Sequence, residues 1–114
     1  MILIDYLHAR PGSGEAIRRA DEPFISIVTW IEVMAGVADT ASDQAARSVL
    51  SRFSTVNLEP DVADIAAAIR RERRLKLPDS IILATARHLR CPLVTRNTKD
   101  FGPASGEILV PYTR

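Results

Sequence analysis

The chain has few cysteines and histidines, and each shortage excludes a class of site. Its 114 residues include one cysteine, Cys91, so a disulfide within the chain and a zinc site built from several cysteines are both excluded. The two histidines, His8 and His88, cannot form a common zinc site on their own. A chain with so little cysteine is typical of a reducing compartment, and we expect a cytoplasmic protein.

Charge of one sign and long apolar runs are also lacking. Fifteen lysines and arginines oppose 14 aspartates and glutamates, a net charge of +1, which excludes a polycation that coats nucleic acid. The richest apolar stretch, residues 24–38, is shorter than the roughly 20 residues that a bilayer requires, and it contains Glu32. The first residues lack the basic flank and apolar run of a signal peptide. We therefore expect no membrane association, and any contact with nucleic acid must come from a local patch.

Apolar residues make up 46 % of the chain, enough to bury a core, and the length suits a single domain over residues 1–114. Short β-branched and aliphatic runs predict strands at 24–28, 56–58, 92–95 and 108–110. Between them the pattern predicts several helices. These lie over 13–20 and 29–38, along the apolar stripe at 46–53, from Asp61 to Leu77 and from Pro78 onward, with a single helical turn over 97–101. Strands that alternate with helices indicate an α/β fold with a parallel sheet covered on both faces. In such sheets ligands bind at the carboxyl ends of the strands.

Three acidic residues fall close to predicted helix starts. Glu32 lies in the first turn of the helix predicted over 29–38, Asp79 follows Pro78 at the start of another, and Asp100 follows the strand that ends at Thr95. Three carboxylates in one cleft repel each other strongly, and a divalent cation such as Mg²⁺ or Mn²⁺ relieves that repulsion. A cation held in this way can activate a water for attack on a phosphodiester.

The same acidic residues also have a purely structural interpretation. Thr29 and Glu32 are spaced as a capping box, Asn97 and Asp100 repeat that spacing, and Asp79 would complement a helix dipole. A small α/β ligand-binding protein with capped helices would have the same features, although no glycine-rich phosphate loop is present. The residues taken singly leave both interpretations open.

Three motifs in order resemble the successive signatures of PIN-domain ribonucleases, and most closely the VapC-type toxins of prokaryotic toxin–antitoxin pairs. They are ISIVTWIE (Ile25–Glu32), LPDSIILATA (Leu77–Ala86) and LVTRNTKDF (Leu93–Phe101). The resemblance covers essentially the whole chain. It implies a three-layer α/β/α sandwich around a parallel sheet. It also implies a metal-dependent endoribonuclease that is the toxin component of a type II pair, a homodimer, and a VapB-like antitoxin that binds beside an acidic groove.

The resemblance also assigns site residues. Glu32, Asp79 and Asp100 match three of the four acids that hold Mg²⁺ or Mn²⁺ in the family, and we expect them to be catalytic. Asn97 and Thr95 match polar residues that line the site, Asn97 as a further catalytic residue and Thr95 on the substrate side. Two cations that flank the site are expected to contact the RNA substrate, namely Arg96 and Lys99.

The fourth acid depends on how the N-terminus is aligned. The family begins with a strand that ends in an aspartate, and ILIDYL (Ile2–Leu7) best fits the segment after that aspartate. This alignment, which the resemblance favours, places Asp5 in the first helix and leaves the central strand absent from the chain. The other alignment makes Met1–Asp5 the strand and Asp5 the fourth metal ligand.

A missing central strand would have physical consequences. Each buried backbone group left unpaired costs roughly 1–3 kcal/mol, so residues 1–5 fill the gap, or the true start lies upstream, or the chain is a degraded remnant. The favoured alignment therefore carries a second functional hypothesis: a catalytically impaired PIN-like protein that binds an antitoxin or another protein without cleaving RNA.

A basic run stands apart from these motifs. Residues 70–76 contain five lysines and arginines, interrupted by Glu72. Cations at this density are typical of phosphate contacts with RNA, but they are equally typical of a solvated helix face. The sequence favours the solvated face.

Overall fold

The computed structural model describes residues 2–5, 23–95, 101 and 108–109. Five strands lie in this part of the chain: β1 (Ile2–Ile4), β2 (Pro23–Ser26), β3 (Ser54–Val56), β4 (Leu93–Val94) and β5 (Ile108–Leu109). It also contains four helices: α1 (Ile27–Ala35), α2 (Thr40–Leu50), α3 (Pro60–Glu72) and α4 (Leu77–Leu89). A helix predicted over 13–20 lies outside the described residues, as does the turn predicted over 97–101 apart from Phe101. None of the described helices is long and apolar enough to cross a membrane.

The strands form one parallel sheet in the order β3-β2-β1-β4-β5. A parallel sheet with both faces covered needs nearly continuous apolar strands, and the central ones meet that need. The following strand residues are at most 3 % exposed: Leu3, Ile4, Ile25, Leu93 and Val94. The predicted α/β fold with a covered parallel sheet is confirmed.

The N-terminal segment corrects one prediction. The favoured alignment, in which the central strand is absent and Asp5 belongs to a helix, is wrong, because β1 occupies the centre of the sheet and Asp5 directly follows it. The amide of Leu3 donates to the carbonyl of Pro92 at 3.0 Å, and that of Asp5 donates to Val94 at 2.9 Å. Three apolar residues are too few to separate a strand from a helix by periodicity, so the pairing partners decide.

The two faces of the sheet bury separate clusters because side chains alternate along each strand. Leu3 and Leu93 pack with the apolar faces of α3 and α4 on one face. Ile4 and Val94 pack on the other, against residues of α1 and the end of α2. Helices on both sides of one sheet give the three predicted layers.

Two helix boundaries differ from their predictions. Ser26 caps α1, since its Oγ accepts from the amide of Val28 at 3.0 Å, so the capping box predicted for Thr29 and Glu32 is wrong. Helix α3 ends at Glu72 rather than at Leu77, because residues 73–76 turn a corner that buries Leu75. Helix α4 begins at Leu77 with proline in its first turn, as predicted.

Candidate active site

Three neighbouring strands end in polar residues at the carboxyl edge of the sheet. The register pairs Leu3 with Phe24 and Ile4 with Val94, so continuing the strands places Asp5 between Ser26 and Thr95. Ser26 and Thr95 are fully buried, and Asp5 is largely so. This polar row, Ser26–Asp5–Thr95, lies at the edge where parallel sheets bind their ligands.

Thr95 fixes the orientation of the Asp5 carboxylate. Its Oγ1 donates to Asp5 Oδ2 at 2.5 Å, a short distance that is typical of a hydroxyl bound to a carboxylate. The backbone of Asp5 is fixed as well, since its amide donates a hydrogen bond to the carbonyl of Val94 on β4. Both the main chain and the side chain of Asp5 are therefore set by the central strands rather than by a loop.

The environment of Asp5 raises its pKa from 3.8 to about 7. Burial is the largest cause, because it penalises the charged form. The Thr95 hydrogen bond acts the other way, while the negative charges of Asp79 and Glu32 raise the pKa further. The fold therefore places the carboxylates of Asp79 and Glu32 near enough to Asp5 to raise its pKa.

These two carboxylates come from helices on different sides of Asp5. Asp79 lies in the first turn of α4 and is half-buried. The next residue, Ser80, donates two hydrogen bonds to the Lys76 carbonyl, one from its amide and one from its Oγ, both at 2.9 Å. These bonds stabilise the first turn of α4. Glu32 lies in the second turn of α1 and is exposed.

The sequence analysis did not identify Ser26 as the N-cap that starts α1, the helix that carries Glu32. A serine directly after an apolar run is nevertheless a common capping signal.

The other predicted site residues lie outside the described part of the chain: Asp100, Asn97, Arg96 and Lys99. Their neighbour Phe101 is described and buried, and its carbonyl accepts a hydrogen bond from the Arg73 guanidinium at 3.3 Å. The chain is therefore anchored directly after Asp100.

The donor chemistry of this edge fits a hard divalent cation. Carboxylate oxygens are the ligands that Mg²⁺ and Mn²⁺ prefer, and among the described residues the charges that act on the buried Asp5 carboxyl are negative. One turn beyond Ser26, the buried Thr29 Oγ1 has no hydrogen-bond partner within the described residues, and a bound water or ion would satisfy such a hydroxyl. Within the described residues, no three acidic, histidine or cysteine side chains are close enough to hold an ion by themselves. An ion bound there would need waters or further residues as ligands.

Comparisons with known proteins agree with this architecture. The PIN domain model matches residues 2–102. A chain of a toxin–antitoxin complex from Klebsiella pneumoniae is 38 % identical, with a TM-score of 0.87 and full coverage of both chains. A search of curated proteins finds no match.

Two more distant structures share the fold. FitAcB from Neisseria gonorrhoeae is 20 % identical over 97 % of this chain and 98 % of its own, with a TM-score of 0.76. VapBC-5 from Mycobacterium tuberculosis is 21 % identical over 95 % of each chain, with a TM-score of 0.67. The match over residues 2–102 shows that this chain belongs to the PIN domain family, with the fold of the VapC-type members found in toxin–antitoxin complexes.

Proposed function

We propose that this protein is a metal-dependent endoribonuclease, the toxin of a type II toxin–antitoxin pair, which cleaves RNA phosphodiesters. The observation that carries the proposal is the buried Asp5 carboxylate, bonded to Thr95 and set in the field of Asp79 and Glu32. Membership of the PIN domain family supports nuclease chemistry. The 38 % identity to a chain of a toxin–antitoxin complex supports the biological role.

The acidic residues would hold the cation. Asp5, Glu32, Asp79 and Asp100 would bind Mg²⁺ or Mn²⁺, directly or through waters. When bound, such an ion lowers the pKa of a water and stabilises charge on the phosphodiester. Thr95 holds Asp5 Oδ2 in one direction, which leaves Oδ1 for another partner.

Neighbouring residues would orient the ligands and the substrate. Asn97 follows Thr95 by two residues and would align a ligand or the RNA. Arg96 and Lys99 would contact the RNA backbone, because phosphates require cations beside an acidic site. No nucleophilic side chain is needed, since the attacking group is water.

A protein partner at this edge is supported by exposed apolar side chains next to the acids. Ile31, beside Glu32, is 54 % exposed, and Leu77, two residues before Asp79, is 56 % exposed. We propose that a VapB-like antitoxin covers this edge and that the protein is a cytoplasmic homodimer. Structures of related chains in toxin–antitoxin complexes support the antitoxin.

The alternative of a catalytically impaired protein depended on the absence of a fourth acid. Asp5 at the end of the central strand removes that basis. No other observation favours the alternative over an active nuclease.

Cleavage of a pool of transcribed hairpin RNAs in Mg²⁺ or Mn²⁺ tests the proposal. Asp79→Asn should lower the cleavage rate at least about 100-fold, since even outer-shell partners of a metal site contribute 10–100-fold. Asp64→Asn is the matched control, because Asp64 is an exposed acid on α3. Both variants should melt like the wild type. Cleavage by Asp79→Asn at the wild-type rate, or no metal-dependent cleavage by the wild type, would overturn the proposed function.

A further inference from the structure

The corner between α3 and α4 carries cations immediately before Asp79. Residues 70–76 contain five cations and a single anion, Glu72, and the last cation, Lys76, precedes Asp79 by three residues. Since Asp79 contributes to the field at Asp5, this corner lies at the carboxyl edge of the sheet. The basic run therefore adjoins the acidic site rather than a remote helix face.

Two of the five cations hold the corner in shape. The Arg70 guanidinium donates to the carbonyl of Leu75 at 3.3 Å, within the corner itself. The Arg73 guanidinium donates to the carbonyl of Phe101 at 3.3 Å and so ties the corner to the chain just after Asp100. These bonds fix where the corner stands relative to the site.

The other three cations, which we call the basic corner, are Arg71, Arg74 and Lys76. All three are exposed, and their side chains make no hydrogen bond or ion pair with the described part of the chain. A merely solvated helix face would commonly pair its cations with acids one turn away. Arg71, in the last turn of α3, has Ala67 four residues before it. Arg74 and Lys76 lie beyond the end of the helix, and although Glu72 and Asp79 are near Lys76 in the sequence, Lys76 forms an ion pair with neither. Within the described part of the chain, these three charges are therefore available to a ligand.

An acidic site repels the phosphates on which it acts, so the substrate must be held by cations beside it. Exposed lysines and arginines supply that attraction by releasing the counter-ions of the nucleic acid. We propose that Arg71, Arg74 and Lys76 form a phosphate-binding surface that holds the RNA backbone next to the cleavage site. The inference rests on the proposed RNA cleavage and names where the substrate lies.

The test compares two double variants of equal charge. Arg74→Gln/Lys76→Gln removes two cations of the basic corner. Arg52→Gln/Arg90→Asn removes two exposed cations that precede β3 and β4, at the opposite edge of the sheet. Asparagine is chosen at Arg90 because that residue has a φ of 56°, which asparagine tolerates.

Binding of a fluorescein-labelled single-stranded RNA is measured in the Asp79→Asn background by fluorescence anisotropy at several KCl concentrations. The basic-corner variant should bind about tenfold more weakly at low salt, and its log–log salt slope should fall by about 1.4, or about 0.7 for each lost phosphate contact. The control variant should keep the parent's slope. With Asp79 intact, the basic-corner variant should raise KM for cleavage and leave kcat unchanged.

Each other outcome has a distinct meaning. Failure of the wild-type and Asp79→Asn proteins to bind RNA would overturn the proposed function and this inference together. Equal salt slopes for RNA binding by the two double variants, together with RNA cleavage by the wild type, would overturn the phosphate-binding role of the basic corner and leave the proposed function standing. An equal loss of affinity for a labelled poly-glutamate chain would assign the corner to an acidic protein partner and overturn the RNA surface. Matching thermal unfolding curves show that both variants are folded.

Discussion

Two rows of residues on the same face of the sheet, two positions apart on the same three strands, have opposite character. The row Leu3–Phe24–Leu93 is apolar and packs against α3 and α4. The next row on that face is the polar row, Ser26–Asp5–Thr95. Both rows are buried to a similar degree, so burial alone does not distinguish packing from chemistry. The two rows differ in how burial changes the free energy of folding.

In the apolar row, burial is favourable for each side chain, so the row contributes stability under all conditions. In the polar row, burial opposes the charge on Asp5, so the row is stable only to the extent that hydrogen bonds, protons or a cation compensate. Substitution of Asp5 should therefore differ in sign as well as in size from a substitution in the apolar row.

The largest effect is expected in the apolar row. Leu3→Ala removes a fully buried side chain from the central strand, and it should lower the free energy of unfolding by about 2–5 kcal/mol, through lost burial and the cavity left behind. Urea denaturation measures the loss. Leu58→Ala, at a side chain 45 % exposed, should change it by less than about 0.5 kcal/mol. A loss below about 1 kcal/mol for Leu3→Ala would mean that this row is not tightly packed.

The opposite sign is expected at Asp5. Its pKa is about 7 in the folded protein and 3.8 as a free group, so the folded state binds the proton more tightly. As the pH rises from about 4 to 7, the unfolded chain ionises first, and folding stability falls by about 1.36 kcal/mol for each unit of pKa difference. In metal-free buffer at pH 8, Asp5→Asn should therefore be more stable than the wild type by about 2–4 kcal/mol.

Thermal and urea unfolding at several pH values, in buffer with chelator, measure the difference. It should shrink as the pH falls toward 4, where Asp5 is protonated in both states. Adding Mg²⁺ should stabilise the wild type more than Asp5→Asn, because a cation favours the ionised carboxylate. Asp64→Asn should show none of these changes. An Asp5→Asn protein that is no more stable at pH 8 would mean that the polar row carries no electrostatic penalty.

The sequence predicted those parts of the fold that depend on local signals. Pro78 and Asp79 mark a helix start because proline suits the first turn, and α4 begins there. The apolar runs of β2 and β4 are visible in the sequence because both faces of a parallel sheet are buried. The local signals thus placed Asp79 in the first turn of a helix, and the resemblance assigned it to the candidate site.

What the sequence could not predict depends on pairing between distant segments. The three residues of β1 become a strand because β2 and β4 lie on either side of them, and no feature of Ile2–Ile4 alone requires it. The same pairing turns Asp5 from a residue of a supposed helix into the centre of the candidate site. The start of α1 was misplaced for a related reason: Ser26 pairs with Val56, which extends β2 to that residue. The cap of the helix, Ser26, therefore lies three residues before the alternative cap, Thr29.

The smallest effect is expected at Ser26, and it separates two roles within the polar row. Ser26 lies beside Asp5, but its Oγ accepts from the amide of Val28 and caps α1. Ser26→Ala should lower the free energy of unfolding by about 1 kcal/mol, the usual cost of a lost N-cap, by the same amount at pH 5 and pH 8. Ser26→Thr keeps a capping hydroxyl and should recover most of that loss. If the cost of Ser26→Ala instead grew with pH as Asp5 ionises, the hydroxyl would be supporting the carboxylate, and the whole row would act as one electrostatic unit.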